Sequence, residues 1–149
     1  MMNIIEGLRE YIKLCPHLVT YNAINPTVYV DFSNSEEATT YTIEENVTST
    51  PIIKTYIDGS TERQYLFIFS SIESYCSDFD NNIKNINFYD NFAQWLEDNN
   101  KNEIFPTIGD KKEALKVEAL TNGYLFNNPE DASTGRYMIQ CKLTYYQEK

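Results

Sequence analysis

"STPIIKTYIDGSTERQYLFIFSSI", residues 49–72, decides the fold. Asp58-Gly59 is the strongest hairpin signal in the chain, because glycine takes up a positive φ at no steric cost. Ahead of it, Pro51 opens a strand where a missing N–H does least harm. Behind it, Tyr65, Phe67 and Phe69 alternate with Leu66 and Ile68. A strand apolar on both sides predicts a central place in a sheet covered on both faces.

Working outward, "TVYVDF" (27–32) and "TTYTIEE" (39–45) alternate and read as strands on the N-terminal side. On the C-terminal side, "EALKVEAL" (113–120) has helical propensity, but Leu115, Val117 and Ala119 alternate with Lys116 and Glu118, which predicts a strand. The closing "RYMIQCKLTYY" (136–146) turns Tyr137, Ile139, Cys141, Leu143 and Tyr145 inward. Two amphipathic helices frame these strands. In the first, Ile4, Ile5, Leu8, Tyr11, Ile12 and Cys15 share a face, and Pro16 ends it. In the second, "FYDNFAQWLEDNN" (88–100), the stripe is Phe88, Phe92, Trp95 and Leu96, with Asn87 as the expected N-cap. The expectation is one α+β domain over residues 1–149: a mostly antiparallel sheet of about six strands with two main helices packed on it.

Composition narrows the function classes. The formal net charge is −10, from 22 acids against 12 Lys and Arg. A free-standing nucleic-acid binder gains affinity by releasing counterions with basic side chains, so this balance argues against one. Residues classed as hydrophobic are 42% of the chain but never form the run of about eighteen that a membrane span needs. Glu6, Arg9, Glu10 and Lys13 interrupt what would be the apolar core of a signal peptide, so an intracellular product is expected. Cys15, Cys76 and Cys141 are odd in number and far apart, which predicts free thiols.

No catalytic set emerges, and neither a metal nor a cofactor is expected. The single histidine, His17, is two residues from Cys15, but that cysteine is on an apolar helix face, where a thiol stays protonated. In "DFDNN", Asp78, Asp80 and Asn82 occupy the first, third and fifth positions of a calcium loop. The sixth position, which requires Gly, is Ile83 and the twelfth, which requires Glu, is Tyr89. A solvated turn is the better reading. Glu36-Glu37 and Glu44-Glu45 are adjacent pairs whose carboxylates diverge on a strand, unlike the facing carboxylates of a glycosidase. Twelve tyrosines suggest a protein interface, with Tyr29, Tyr56 and Tyr146 on the less apolar sides of their strands.

"FYDNFAQWLEDNNKNEIFP", "ALKVEALTNGYLF" and "RYMIQCKLTYYQE" together resemble the minor capsid proteins of Gram-positive phages and prophages, regarded as tail terminators. The resemblance is carried by Phe88-Tyr89, Trp95-Leu96, Pro106, Glu118-Ala119, Gly123-Tyr124-Leu125 and Leu143-Thr144-Tyr145-Tyr146. It departs at Phe105, where Leu is expected. It implies a homohexameric ring at the head-proximal end of a phage tail or a phage-tail-like bacteriocin. That ring would cap the tail tube, end polymerisation and present a surface to a neck or head connector. Sheath proteins of a contractile tail are further expected partners, and DNA would only pass through the lumen. Under this resemblance the polar segment from Ser33 to Pro51, with Glu36, Glu37, Tyr41, Glu44 and Glu45, becomes a candidate lumen or interface hairpin beside Tyr29, Tyr56 and Tyr146. A head-side connector is the alternative within the class. A small acidic inhibitor mimicking DNA charge is the alternative outside it.

Overall fold

Asn3 starts the first helix by accepting the Glu6 N–H at 2.9 Å, while the Glu6 carboxylate accepts the Asn3 N–H at 3.3 Å. This reciprocal box satisfies two of the donors that a helix N-terminus leaves unpaired. Helix α1 (Ile4–Ile12) follows, with Leu8, Tyr11 and Ile12 buried. In this computed structural model the chain is described over residues 3–18, 28–30, 40–74, 79–127 and 134–149. The remaining elements are β1 (Val28–Val30), β2 (Thr40–Glu45), β3 (Ile52–Thr55), β4 (Thr61–Ser74), α2 (Phe79–Lys101), β5 (Lys112–Ala119), β6 (Tyr124–Asn127) and β7 (Thr134–Gln147).

The fold is α+β. Its sheet runs β1-β2-β4-β7-β5, with β3 paired to β4 and β6 paired to β7. Six strands, β2 to β7, are joined antiparallel, and β1 adds in parallel beside β2. β4 is central, as its apolar run predicts. It pairs with β7 along its whole length, from Thr61 opposite Gln147 to Ser74 opposite Thr134. Phe67 and Phe69 on β4 are fully buried, together with Ile43, Ile139, Cys141 and Leu143 from the neighbouring strands. The helices lie over this face. Phe92 stacks on Phe69 at 4.6 Å and Trp95 tilts against Tyr11 at 5.1 Å, the short ring separations that add to the burial of aromatic surface.

The second face of β4 differs from expectation. Leu66 and Ile68 are only partly buried, and the residues around them include Gln64, Gln140, Lys142 and Thr144. Along this face three basic side chains pair with two carboxylates. Arg136 reaches the Glu44 carboxylate, and Lys116 and Lys142 flank Glu118 at 2.9 and 3.1 Å. Partial burial pushes the Glu118 carboxyl up, but the two lysines outweigh it and hold the group below the usual carboxylate value.

Three further expectations are corrected. Residues 79–87 are neither a turn nor the approach to an N-cap at Asn87; they are the first turns of α2, and Asp80 and Asn82 sit within helix. β6 is an additional short strand, started after Gly123. On β5 a bulge between Ala114 and Lys116 shifts the register, so Ala114 is buried in place of Leu115, which is 40% exposed.

Polar contacts fix the helices on the sheet. The Tyr89 hydroxyl donates to the Tyr137 carbonyl at 3.0 Å and meets the Ser71 hydroxyl at 2.6 Å, both inside the core. Asn99 donates to the Tyr11 hydroxyl at 3.0 Å, joining α2 to α1. Asn100 donates to the Val117 carbonyl at 2.8 Å and accepts the Val117 N–H at 3.1 Å, which closes the outer edge of β5 at that residue. Gly7 lets α1 approach the loop before β5, because a Cβ there would lie 2.1 Å from the Thr107 carbonyl oxygen.

Candidate functional site

Strand β3 is exposed at all four of its residues. Unlike β5, whose edge is met by Asn100, it projects Ile52 (44% exposed) and Ile53 (49%) into solvent, and Ile57 at the turn is fully exposed. Edge strands of soluble proteins usually carry charge or a covering element, since their free N–H and C=O groups template further pairing. Here the segment from Ile52 to Ile57 carries one charge, Lys54.

Local sequence makes this hairpin rigid. Gly59 adopts φ +94°, its N–H donates to the Tyr56 carbonyl at 3.0 Å, and the Tyr56 N–H donates to the Ser60 carbonyl at 2.9 Å. These bonds close a three-residue loop of Ile57, Asp58 and Gly59, the turn-plus-bulge geometry of common hairpins. The Ser60 N–H and hydroxyl both donate to the Asp58 carboxylate, at 2.9 and 2.5 Å, and hold its pKa below the usual value. The acid at the tip is thus turned back onto its own turn. At the base, the Gln64 side chain donates to the Thr50 carbonyl at 2.6 Å, and its N–H donates to Pro51 at 2.9 Å.

Two of the tyrosines singled out from sequence meet on this hairpin. Tyr56 and Tyr146 have ring centroids 6.1 Å apart, and the Lys54 ammonium lies 5.0 Å from the Tyr56 centroid. The result is a half-exposed cluster of two rings and a cation, a composition enriched at protein contacts. Sequence reasoning missed Ile52, Ile53, Lys54 and Ile57 as site residues. The available signal was "PIIKTYI" itself, which is too apolar on both sides for an edge strand.

The other candidates separate. Tyr41 is corrected: it is 1% exposed, stacked 5.8 Å from Phe69, so its ring belongs to the core and presents no surface. Glu44 is engaged with Arg136, whereas Glu45 is exposed at the end of β2. Thr40 to Glu45 form a strand inside the sheet and not an arm of a protruding hairpin. Tyr29 lies in β1, in register with Thr42. Glu36 and Glu37, with the first part of the candidate hairpin, lie outside the described residues.

Chemistry elsewhere is sparse. Among the described residues no three His, Cys, Asp or Glu side chains gather as a metal site would require. Cys15 is 3% exposed, just beyond α1, and burial pushes its thiol up to about 11, while His17 beside it is exposed. Cys15 and Cys141 are free, and Cys76 lies outside the described residues. No described helix is long and apolar enough to cross a membrane. No protein-family model matches the chain, and no curated protein matches it.

Proposed function

We propose that this chain is a self-assembling structural subunit of the tail-terminator type. Copies form a ring, six-fold by the resemblance, that caps a phage-type tail tube and meets a neck or head connector on its other side. The observation that carries this reading is the rigid β3–β4 hairpin with its exposed isoleucines. An open strand edge flanked by exposed isoleucines is a surface that a second chain can cover.

Two further features agree. Several residues behind the resemblance act as scaffold: a Cβ at Gly123 would lie 2.3 Å from the Tyr89 Cβ, and Trp95 and Leu96 pack α2 into the core. A role in architecture, and not in chemistry, suits such a pattern. The charge of −10 also suits a ring through which DNA slides, because negative walls release no counterions. A DNA-mimicking inhibitor fits less well, since Glu44 and Glu118 on the open sheet face are matched by Arg136, Lys116 and Lys142.

The reading is tested by deleting the gene in its phage or tail-like particle. Tails of irregular, excessive length that fail to join heads are expected. Normal-length tails would refute a terminator, and particles defective only in DNA retention would assign the chain to the head side.

A further inference from the structure

In two places a glycine directly follows an Asp or Asn, at Asp58-Gly59 and Asn122-Gly123. In such a pair the glycine nitrogen can attack the side-chain carbonyl carbon ahead of it, because no Cβ obstructs the approach. The fold treats the two pairs in opposite ways. At the hairpin the Gly59 N–H is bound to the Tyr56 carbonyl at 3.0 Å, which occupies the attacking group. Ser60 holds Asp58 as the carboxylate ion through its N–H and hydroxyl, whereas ring closure requires the neutral acid. That pair is locked.

Asn122-Gly123 links β5 to β6, and the chain is pinned to β7 on either side of it. The Leu120 N–H donates to the Gln140 carbonyl at 2.7 Å, the Thr121 hydroxyl accepts the Gln140 N–H at 3.1 Å, and Tyr124 pairs with Met138. Asn122 between these anchors is exposed. Among the described residues, neither its carboxamide nor the Gly123 N–H has a hydrogen-bond partner. We propose that Asn122 is a site of spontaneous modification, deamidating through a cyclic imide while Asp58 is spared. The Gly123 nitrogen bonds to the Asn122 Cγ and gives up its proton, and the carboxamide nitrogen leaves as ammonia. Water then opens the imide at either carbonyl. Attack at Cγ leaves Asp in an ordinary peptide link, and attack at the backbone carbonyl leaves isoaspartate, with the main chain running through the side chain.

Both products add a negative charge to a chain that already carries −10. Isoaspartate also lengthens the main chain by a carbon directly ahead of Gly123. There the Tyr89 side chain already lies 2.3 Å from where a Cβ would sit. A close-packed site has no room for that shift, so the isoaspartyl form loosens either β6 or the contact of Gly123 with Tyr89.

The test ages the folded chain at mildly alkaline pH and maps its peptides by mass spectrometry, with enzymatic methylation of isoaspartate as a second readout. Exchange of NH2 for OH should accumulate at Asn122, and the methyl label should mark that position and not Asp58. In denaturant, where the Tyr56 and Ser60 bonds are gone, labelling at Asp58 should rise about tenfold, and the rate at Asn122 should change by less. Asn122→Gln, at an exposed position, should fold like the parent, stay unlabelled and keep its melting temperature on ageing while the parent's falls. An Asn122 amide that survives in the folded chain and is lost only on unfolding would overturn the site. Equal labelling at Asp58 and Asn122 in the folded chain would overturn the selectivity. An Asn122→Gln protein that loses stability at the parent's rate would overturn the effect on β6.

Discussion

Replacing Tyr89 by Phe removes one oxygen and leaves the ring. That ring is 1% exposed, stacked 6.4 Å from Tyr137 and edge-on to Phe88 at 5.0 Å, so packing is retained. What is lost is the hydroxyl between the Ser71 hydroxyl at 2.6 Å and the Tyr137 carbonyl at 3.0 Å. Ser71 is itself 1% exposed, so water cannot replace its partner. A buried polar group left unsatisfied costs about 1–3 kcal/mol, and the carbonyl adds a smaller amount, so the expected loss is about 2–3 kcal/mol. At about 2.1 cal/mol/K per residue, the unfolding entropy of a 149-residue chain is about 0.3 kcal/mol/K. The melting temperature should therefore fall by about 6–10 °C in scanning calorimetry. Ser71→Ala combined with Tyr89→Phe removes both ends of the shorter bond, so the double variant should cost less than the sum of the two singles. Strict additivity, or a Tyr89→Phe protein within about 0.5 kcal/mol of the parent, would refute the bridge between helix and sheet.

Phe67→Ala, at a fully buried position of the central strand, should cost about 3–5 kcal/mol by urea denaturation, and a thermally neutral variant would disprove its core position. Gly123→Ala should cost about 1–3 kcal/mol, because its new methyl meets Tyr89; a stabilised variant would show that β6 moves aside freely. Burial raises the pKa of Cys15 to about 11 and raises those of Cys141, Tyr11 and Tyr145 as well. Each of these groups gives up its proton more readily in the unfolded chain. For Cys15 the contribution is therefore whole below the unfolded thiol value of 9.0 and is lost as the pH climbs to about 11, while the other three groups add to the fall above their own unfolded values. Denaturation at a series of alkaline pH values should show stability falling across that window, and constant or rising stability would contradict it. Cys15 and Cys141 should also resist a thiol reagent at neutral pH until the chain is unfolded; labelling at the unfolded rate would count against their burial.

The elements most legible in sequence were those whose periodicity and punctuation agree. Asp58-Gly59 announced its hairpin, and the alternation in residues 136–146 announced β7, because turn chemistry and side-chain period pointed the same way. The start of α2 was not legible. Residues 79–87 hold four asparagines, which compete locally for the backbone and favour turns, so the helix there opposes its own propensity. The bulge at Leu115 was invisible for a different reason, since one extra residue inverts every later side chain while leaving the pattern apparently regular. For the site, Tyr56 and Tyr146 were found from their strand faces. Tyr41 was misjudged because a tyrosine carries no sign of whether its ring will be covered, and here Phe69 and Phe88 cover it.

The pairing of β4 with β7 also governs when the protein can form at all. β4 leaves the ribosome early, yet its partner over Thr134–Gln147 is made after all the other described helices and strands. β5 and β6 likewise hydrogen-bond to β7 and to no other described strand. Until that last segment emerges, the nascent chain holds Phe67 and Phe69 on a strand with one side open, the kind of species that associates wrongly. Synthesis of β7 is thus the event that commits the chain. A release before residue 134 would yield no smaller version of the domain, only a segment that chaperones must hold or proteases remove.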